Sequence, residues 1–312
     1  MTRATLPALV RPLIELHLPD WLEPRWFMTK EEAFALAPDA EIGWFDMVDK
    51  ADMANAIGRT HKLRWLNSIY AGIDGMPLDH LCARGVTYTN GAGINAITIA
   101  EYVVMGMLTV AKGYDDVVRA RDRREWLLDS PGKVELAGSK ALLLGAGAIG
   151  GLVRTRLQAF DVAVTTVRRT PAPGDLGPDH WRARIGDFDW VILAVPATVE
   201  TDGMIGATEL AAMKPSAVLV NIARGSVVDQ DALLAALNSR SIAAAFLDVM
   251  TPEPLPPEHP LWTIPNAHLT MHVSGRAQDK MFVRSAERFL ANLDRWHRGE
   301  PLQSVVDLAR GY

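Results

Sequence analysis

From Lys140 onward the chain is punctuated by short runs of consecutive apolar residues: KALLLG (140–145), VAVTTV (162–167), DWVILAV (189–195), AVLVNIA (217–223), AAAFLDV (243–249) and AHLTMHV (267–273). A strand with one wet face alternates apolar and polar residues, and these runs do not. They are the pattern of parallel strands covered on both faces, with the segments between them serving as crossover helices. The clearest such helix is DQDALLAALNS (229–239), where Leu233, Leu234 and Leu237 share a face and Asp229 stands as the N-cap. A doubly wound α/β sheet is therefore predicted.

The first ninety residues repeat the pattern on a smaller scale. LIELHL (13–18), EIGWFDM (41–47), LRWLNSI (63–69) and VTYTN (86–90) are predicted as strands of a second, smaller α/β domain. Between the two regions lies a stretch, 95–126, that is almost free of breakers and apolar on more than one face. It is expected to be a long helix packed against something beyond its own domain. A final helix, SAERFLANLDRWHRG (285–299), carries Phe289, Leu293 and Trp296 at helical spacing and is expected to return to the first domain.

Composition narrows the classes. At 312 residues the chain has room for two ordinary domains, and 49% hydrophobic with 22% charged residues is a globular balance. A net charge of −5, with no cluster of Lys and Arg, gives no field for nucleic acid. The single Cys82 forms no internal disulfide and no multi-cysteine metal site, and no export signal or membrane span is expected. A cytoplasmic protein without a metal is the expectation.

In LLLGAGAIGGL (142–152), Gly145, Gly147 and Gly150 stand at GxGxxG spacing between an apolar strand and a helical segment. The first glycine serves a tight turn, the second lets backbone approach a pyrophosphate, and the third packs helix on strand. The helix N-terminus at Ala148 and Ile149 then offers N–H groups to phosphate. This strand-turn-helix context predicts a Rossmann-type dinucleotide site.

Three further stretches end predicted strands on the same sheet edge: NIARGSVVD (221–229), LDVMTPEPLPPEHPLW (247–262) and HLTMHVSG (268–275). Together with GAGAIG, SIYAGID (68–74) and GINAITIAEYVV (93–104), they resemble the D-isomer-specific 2-hydroxyacid dehydrogenase family over nearly the whole chain. PEPLPPEHPLW (252–262) is similar to the glyoxylate/hydroxypyruvate reductase branch. The resemblance implies a cofactor domain over 94–275 and a smaller, flavodoxin-like substrate domain made of 1–93 plus 276–312, with the active site in the cleft between them.

By the same resemblance Arg224 binds the substrate carboxylate and polarises its carbonyl, a task that suits a guanidinium fork. His272 is the acid/base, and Glu253 pairs with it. Backbone N–H groups of Tyr70, Ala71, Gly72 and Ile73 hold the substrate, together with Arg224 and His272. Asp248 matches a residue that binds the nicotinamide carboxamide. Ile222 and Ala223 lie beside the cofactor, and Val195 with Pro196 either line its adenosine side or only pack the strand end. Tyr70 and Met271 depart from the family pattern and bear on the substrate's side-chain pocket. His268 is expected to share a strand face with His272 and to be structural.

After the glycine turn, the second strand ends at Val167, where an acid accepting from the ribose 2′-hydroxyl marks NAD preference. Here Arg168, Arg169 and Thr170 follow. A guanidinium pairs with a 2′-phosphate, so NADP(H) is the expected cofactor with NAD(H) possible, unless the arginines are solvent-facing loop charges. The expected activity is reduction of a small 2-oxo acid to the D-2-hydroxy acid, by a homodimer formed through the 94–126 segment with Trp126 at the contact. A cofactor-sensing corepressor with the same fold is the alternative.

Overall fold

The computed structural model describes residues 1–73 and 75–308. By its internal contacts the chain divides into two compact units, Met1–Asn95 with Gln278–Tyr312, and Ala96–Ala277.

In the first unit, β1 (Thr2–Pro7), β2 (Leu22–Phe27), β3 (Ile42–Gly43), β4 (Trp65–Asn67) and β5 (Thr87–Thr89) form a parallel sheet in the order β2-β1-β3-β4-β5. This is the flavodoxin-like order, with its reversal between β1 and β3. The stretches 41–47, 63–69 and 86–90 contain β3, β4 and β5 as expected. LIELHL is not a strand. Helix Arg11–Ile14 begins with Pro12 in its first turn, where a missing N–H is harmless, and a 3₁₀ turn follows at Glu15–His17. Its alternating apolar positions do not share one buried face, since Ile14 enters the core while Leu16 is 93% exposed. The strands that escaped notice, TRATLP and LEPRWF, carry arginine and proline; β2 lies at the sheet edge, where Pro24 forfeits no ladder bond on its open side. Helix Met281–Arg298 covers one face, with Phe289 packed on Trp44 and Trp65 at ring-centroid distances of 5.0 and 5.2 Å.

All six apolar runs of the second unit became strands: β6 (Lys140–Leu144), β7 (Ala163–Val167), β8 (Trp190–Leu193), β9 (Val218–Asn221), β10 (Ala244–Leu247) and β11 (Ala267–Leu269). The parallel order is β11-β10-β9-β8-β6-β7. Leu142, Leu144, Val191, Leu193 and Leu219 enter one core, whereas Ala141, Leu143, Ile192, Val220 and Phe246 enter another. Successive residues thus face opposite apolar layers, which is why the runs never alternate. The order reverses at β6, between β7 and β8, so the crevice for a ligand lies at the carboxyl ends of β6 and β8. The helix expected over 95–126 is broken into Ala96–Lys112 and Tyr114–Arg123, bent by 67° at Gly113. Gly113 has φ 60°, and a Cβ there would stand 2.9 Å from the backbone of Gly132, so the chain turns where only glycine fits. Among the described residues no single helix is long and apolar enough to cross a membrane.

Candidate active site

The three glycines after β6 have three different surroundings. A Cβ on Gly145 would lie 2.4 Å from the Ala194 carbonyl oxygen at the end of β8, and Gly145 itself has φ 108°. At Gly150 a Cβ would lie 2.0 Å from the Gly145 oxygen, the close helix-on-strand approach expected of the third glycine. Gly147 meets nothing within 4 Å, and no side chain caps the helix Ala148–Gln158 that it begins. Gly147 and Ala148 are exposed and Ile149 is half-buried. Open space in front of an uncapped helix N-terminus fits a pyrophosphate. Val195 and Pro196 follow β8 on the other side of the crevice, half-buried and exposed respectively.

At the end of β7 both arginines have acidic partners. Arg168 Nε stands 2.5 Å from a carboxylate oxygen of Asp175, whose side chain is almost wholly buried, and Arg154 approaches the same carboxylate at 3.6 Å. Arg169 pairs with Glu200 at 3.0 Å on the exposed surface, and Thr170 is exposed. Neither Asp175 nor Glu200 was foreseen, because each reaches the arginine from a loop whose path the sequence does not reveal.

His272 and Glu253 meet as expected, with Nδ1 of the ring 2.6 Å from a Glu253 carboxylate oxygen. The other Glu253 oxygen accepts from the Met250 amide at 3.0 Å, which fixes the carboxylate itself. The setting of His272 differs from the expectation. β11 stops at Leu269, and Met271 and His272 have φ 54° and 53°, so His272 lies in a left-handed turn and shares no strand face with His268. Such a conformation costs on the order of 1 kcal/mol per residue away from glycine. Asp248 holds it. Its buried carboxylate accepts from Thr270 Oγ1 at 2.6 Å, the Val273 amide at 3.1 Å, and both the amide and hydroxyl of Ser274, while its carbonyl accepts from the His272 amide at 2.5 Å. The Asp248 side chain is thus committed to holding this turn. His268 pairs with Asp115 at 2.5 Å.

Arg224 follows β9 in extended conformation, and its guanidinium donates to the Ala223 carbonyl at 2.7 Å. Asn221 builds the turn, its amide donating to the Arg224 carbonyl at 3.0 Å and its oxygen accepting from the Ala223 amide at 3.0 Å. Gly225 then allows the approach to the next loop, because a Cβ there would lie 2.0 Å from the Met250 oxygen. That contact brings the Arg224 turn against the loop carrying Glu253. Ile222 and Ala223 are buried in the two cores, so only their backbone is available to a cofactor. Gln230 steadies the Glu253 loop by accepting from the Thr251 amide at 2.9 Å. The polar residue at the end of β9 and the glycine after Arg224 were the available signals for Asn221 and Gly225.

In the first unit, the stretch after β4 forms a loop held from both sides. Gly91 donates to the Tyr70 carbonyl at 2.9 Å and Asn90 to the Ala71 carbonyl at 2.7 Å. Tyr70 does not offer its amide outward as expected, since it donates to Ser68 Oγ at 3.1 Å. Among the described residues, nothing accepts from the amides of Ala71, Gly72 and Ile73. Asp74 of the SIYAGID motif lies outside the described residues.

A doubly wound sheet with a glycine turn at its switch point, and a carboxylate-held histidine on the same edge, belongs to the nicotinamide-dependent oxidoreductases. Residues 104–274 match the family described as D-isomer specific 2-hydroxyacid dehydrogenase, NAD binding domain, and the chain belongs to that family. It is 32% identical over 279 residues to the glyoxylate reductase/hydroxypyruvate reductase of Homo sapiens, covering 84% of this chain and 82% of the relative. Among solved structures, a D-isomer specific 2-hydroxyacid dehydrogenase family protein from Aeromonas salmonicida subsp. salmonicida A449 superposes with TM-score 0.87 at 28% identity, covering 99% of this chain and 100% of that one. An NADPH-dependent glyoxylate/hydroxypyruvate reductase from Sinorhizobium meliloti, in complex with NADP and malonate, matches with TM-score 0.77 at 26% identity, over 99% and 98% of the two chains.

Proposed function

We propose that the chain reduces a small 2-oxo acid of the glyoxylate or hydroxypyruvate kind to the D-2-hydroxy acid, with NADPH preferred over NADH. The observation that carries the chemistry is the 2.6 Å contact between His272 Nδ1 and Glu253. A carboxylate on Nδ1 keeps a proton there and fixes the ring, so Nε2 is the nitrogen left to give a proton away. His272 donates it to the carbonyl oxygen as that oxygen gains charge. Arg224 receives the substrate carboxylate and draws electron density from the carbonyl, with the amides of Ala71, Gly72 and Ile73 as further donors. The loop from Gly145 to Gly150 would hold the dinucleotide, which when bound supplies the hydride for the carbonyl carbon.

The preference for NADPH is supported by the arginines after β7, where an acid would repel a 2′-phosphate. Arg168 approaches Asp175 through Nε at ion-pair distance without a hydrogen bond between them, so its terminal nitrogens are not spent on that carboxylate and suit a phosphate. The names of the relatives support the substrate class. Pairing of two copies through the 94–126 segment is supported by apolar side chains there and just beyond, Trp126 at 91% and Leu128 at 97% exposure. Steady-state kinetics over glyoxylate, hydroxypyruvate, pyruvate, phenylpyruvate and branched 2-oxo acids, each with NADPH and NADH, test the reading. Turnover of none of them, or equal use of NADH, would overturn its substrate or its cofactor half respectively.

A further inference from the structure

One carboxylate lies beneath the loop 68–73 and takes no part in the chemistry above. Asp46 follows β3, the neighbour of β4 in the sheet, and its side chain reaches under the start of the loop. One oxygen accepts from Ser68 Oγ at 2.6 Å. The other accepts from the Ile69 amide at 2.5 Å and from Trp44 Nε1 at 2.6 Å. Ser68 Oγ in turn accepts from the Tyr70 amide at 3.1 Å. Two consecutive amides are therefore drawn inward, one directly and one through a hydroxyl relay, while the three that follow are left for something else.

The charge cost shows that this arrangement is more than ordinary loop packing. Asp46 lines a cavity of about 470 Å³ with Lys30, the only basic residue of that lining among the described residues, and Lys30 is itself paired with Asp52 at 3.1 Å. Burial pushes Asp46 up to about 6, against the lowering effect of Ser68, Ile69 and Trp44. A neutral residue would satisfy one or two of these donors without desolvating a charge. An ionised carboxylate is the one short side chain that accepts from all three at once.

We propose that Asp46 is a positioning residue for substrate: by fixing Ser68 Oγ and the Ile69 amide, it sets the orientation in which the amides of Ala71, Gly72 and Ile73 meet the substrate carboxylate. The inference rests on the reading of that loop as part of the substrate site. From the other side Gly91 sets its distance, since a Cβ there would lie 1.8 Å from the Ile69 carbonyl oxygen. The loop is thus clamped between an acid that pulls on its donors and a glycine that admits its carbonyl.

The test compares the full-length protein with Asp46→Ala, Asp46→Asn, Ser68→Ala and Gly91→Ala, using the best 2-oxo acid of the panel with NADPH, and oxamate as a competitive probe. Asp46→Ala should raise KM and the oxamate inhibition constant about tenfold, the effect of one or two lost hydrogen-bond anchors, with kcat within about threefold and NADPH affinity unchanged. Asp46→Asn keeps an acceptor for Ile69 and Trp44 and should recover most of the loss. Ser68→Ala removes only the relay to Tyr70, and its smaller rise in KM tests the inference even where Asp46→Ala does not fold. Should Gly91→Ala raise KM while Ser68→Ala and the Asp46 variants stay within about twofold of the unmodified protein, the loop holds substrate and the inference about Asp46 is overturned. An unchanged KM in Gly91→Ala would instead remove the reading of the loop, and the inference with it.

Discussion

Each unit ends its parallel sheet in a loop organised by a buried or half-buried aspartate, but the two aspartates organise different things. In the second unit Asp248 holds a left-handed turn so that one side chain, His272, stands against Glu253. In the first unit Asp46 holds Ser68 and Ile69 at the start of a loop in which, among the described residues, nothing accepts from the amides of Ala71, Gly72 and Ile73. On the function proposed above, the contrast is between a site edge whose chemistry sits in side chains and one whose chemistry sits in the main chain. Substitution removes the first kind of function outright and only displaces the second.

The largest effect should therefore come from His272→Ala, which deletes the proton donor and should lower kcat by on the order of a hundredfold to ten thousandfold. NADPH affinity, read by fluorescence titration, should be nearly unchanged. Near-normal turnover would break the comparison by showing that the side chain carries no chemistry. Arg224→Lys keeps the charge but loses the fork, and kcat/KM should fall on the order of a hundredfold. A value within a few-fold of the unmodified protein would count against Arg224 as the carboxylate ligand.

Next in size is the cofactor edge. Arg168→Asp places an acid where NAD-preferring sheets carry one, and beside Asp175 it should cut the NADPH to NADH ratio of kcat/KM by about tenfold or more. An unaltered ratio would mean that Arg168 serves only Asp175.

The smallest effect is on stability and belongs to the backbone-carried edge. Asp46 is pushed up to about 6 by burial, so the folded chain binds its proton more tightly than the unfolded chain does. The stabilisation from that proton is complete below the unfolded value of about 4 and is lost as pH rises through about 6. Asp46→Asn has no such loss, so the melting temperature of the variant should gain on that of the unmodified protein between about pH 4 and pH 6.5 and hold steady above that. The groups facing Asp46 do not mask this: Lys30 is paired with Asp52, and Tyr88 is held above its ordinary range by burial and by Asp46 itself. A pH-independent difference would show a solvated carboxylate.

The second unit was the more legible of the two. Its strands were long uninterrupted apolar runs, because both faces are buried. Gly145, Gly147 and Gly150 were legible from their spacing between a strand and a helix, and Arg224, Glu253 and His272 from the family resemblance of the stretches that follow those runs. LIELHL misled because alternation over six residues does not say whether a core lies on either side, and β1 and β2 were missed because short strands with arginine and proline depend on their neighbours for stability.

What the sequence determined by itself was the alternation of strand and helix and the glycine turn, with the candidate acid/base and carboxylate-binding groups marked by resemblance to the family. The alternation and the turn are local properties of residue type and spacing. Tertiary structure alone decided that Asp248 grips the His272 turn, that Asp175 holds Arg168, that Gly225 admits the Met250 carbonyl and that Asp46 draws in the amides of residues 69 and 70. Three of these contacts join residues from different loops, Asp175 returns to Arg168 from further along the same loop, and a hydrogen bond acts over about 3 Å. Partners separated along the chain meet only once the sheet has set its strand order, and no spacing within a single segment encodes that meeting.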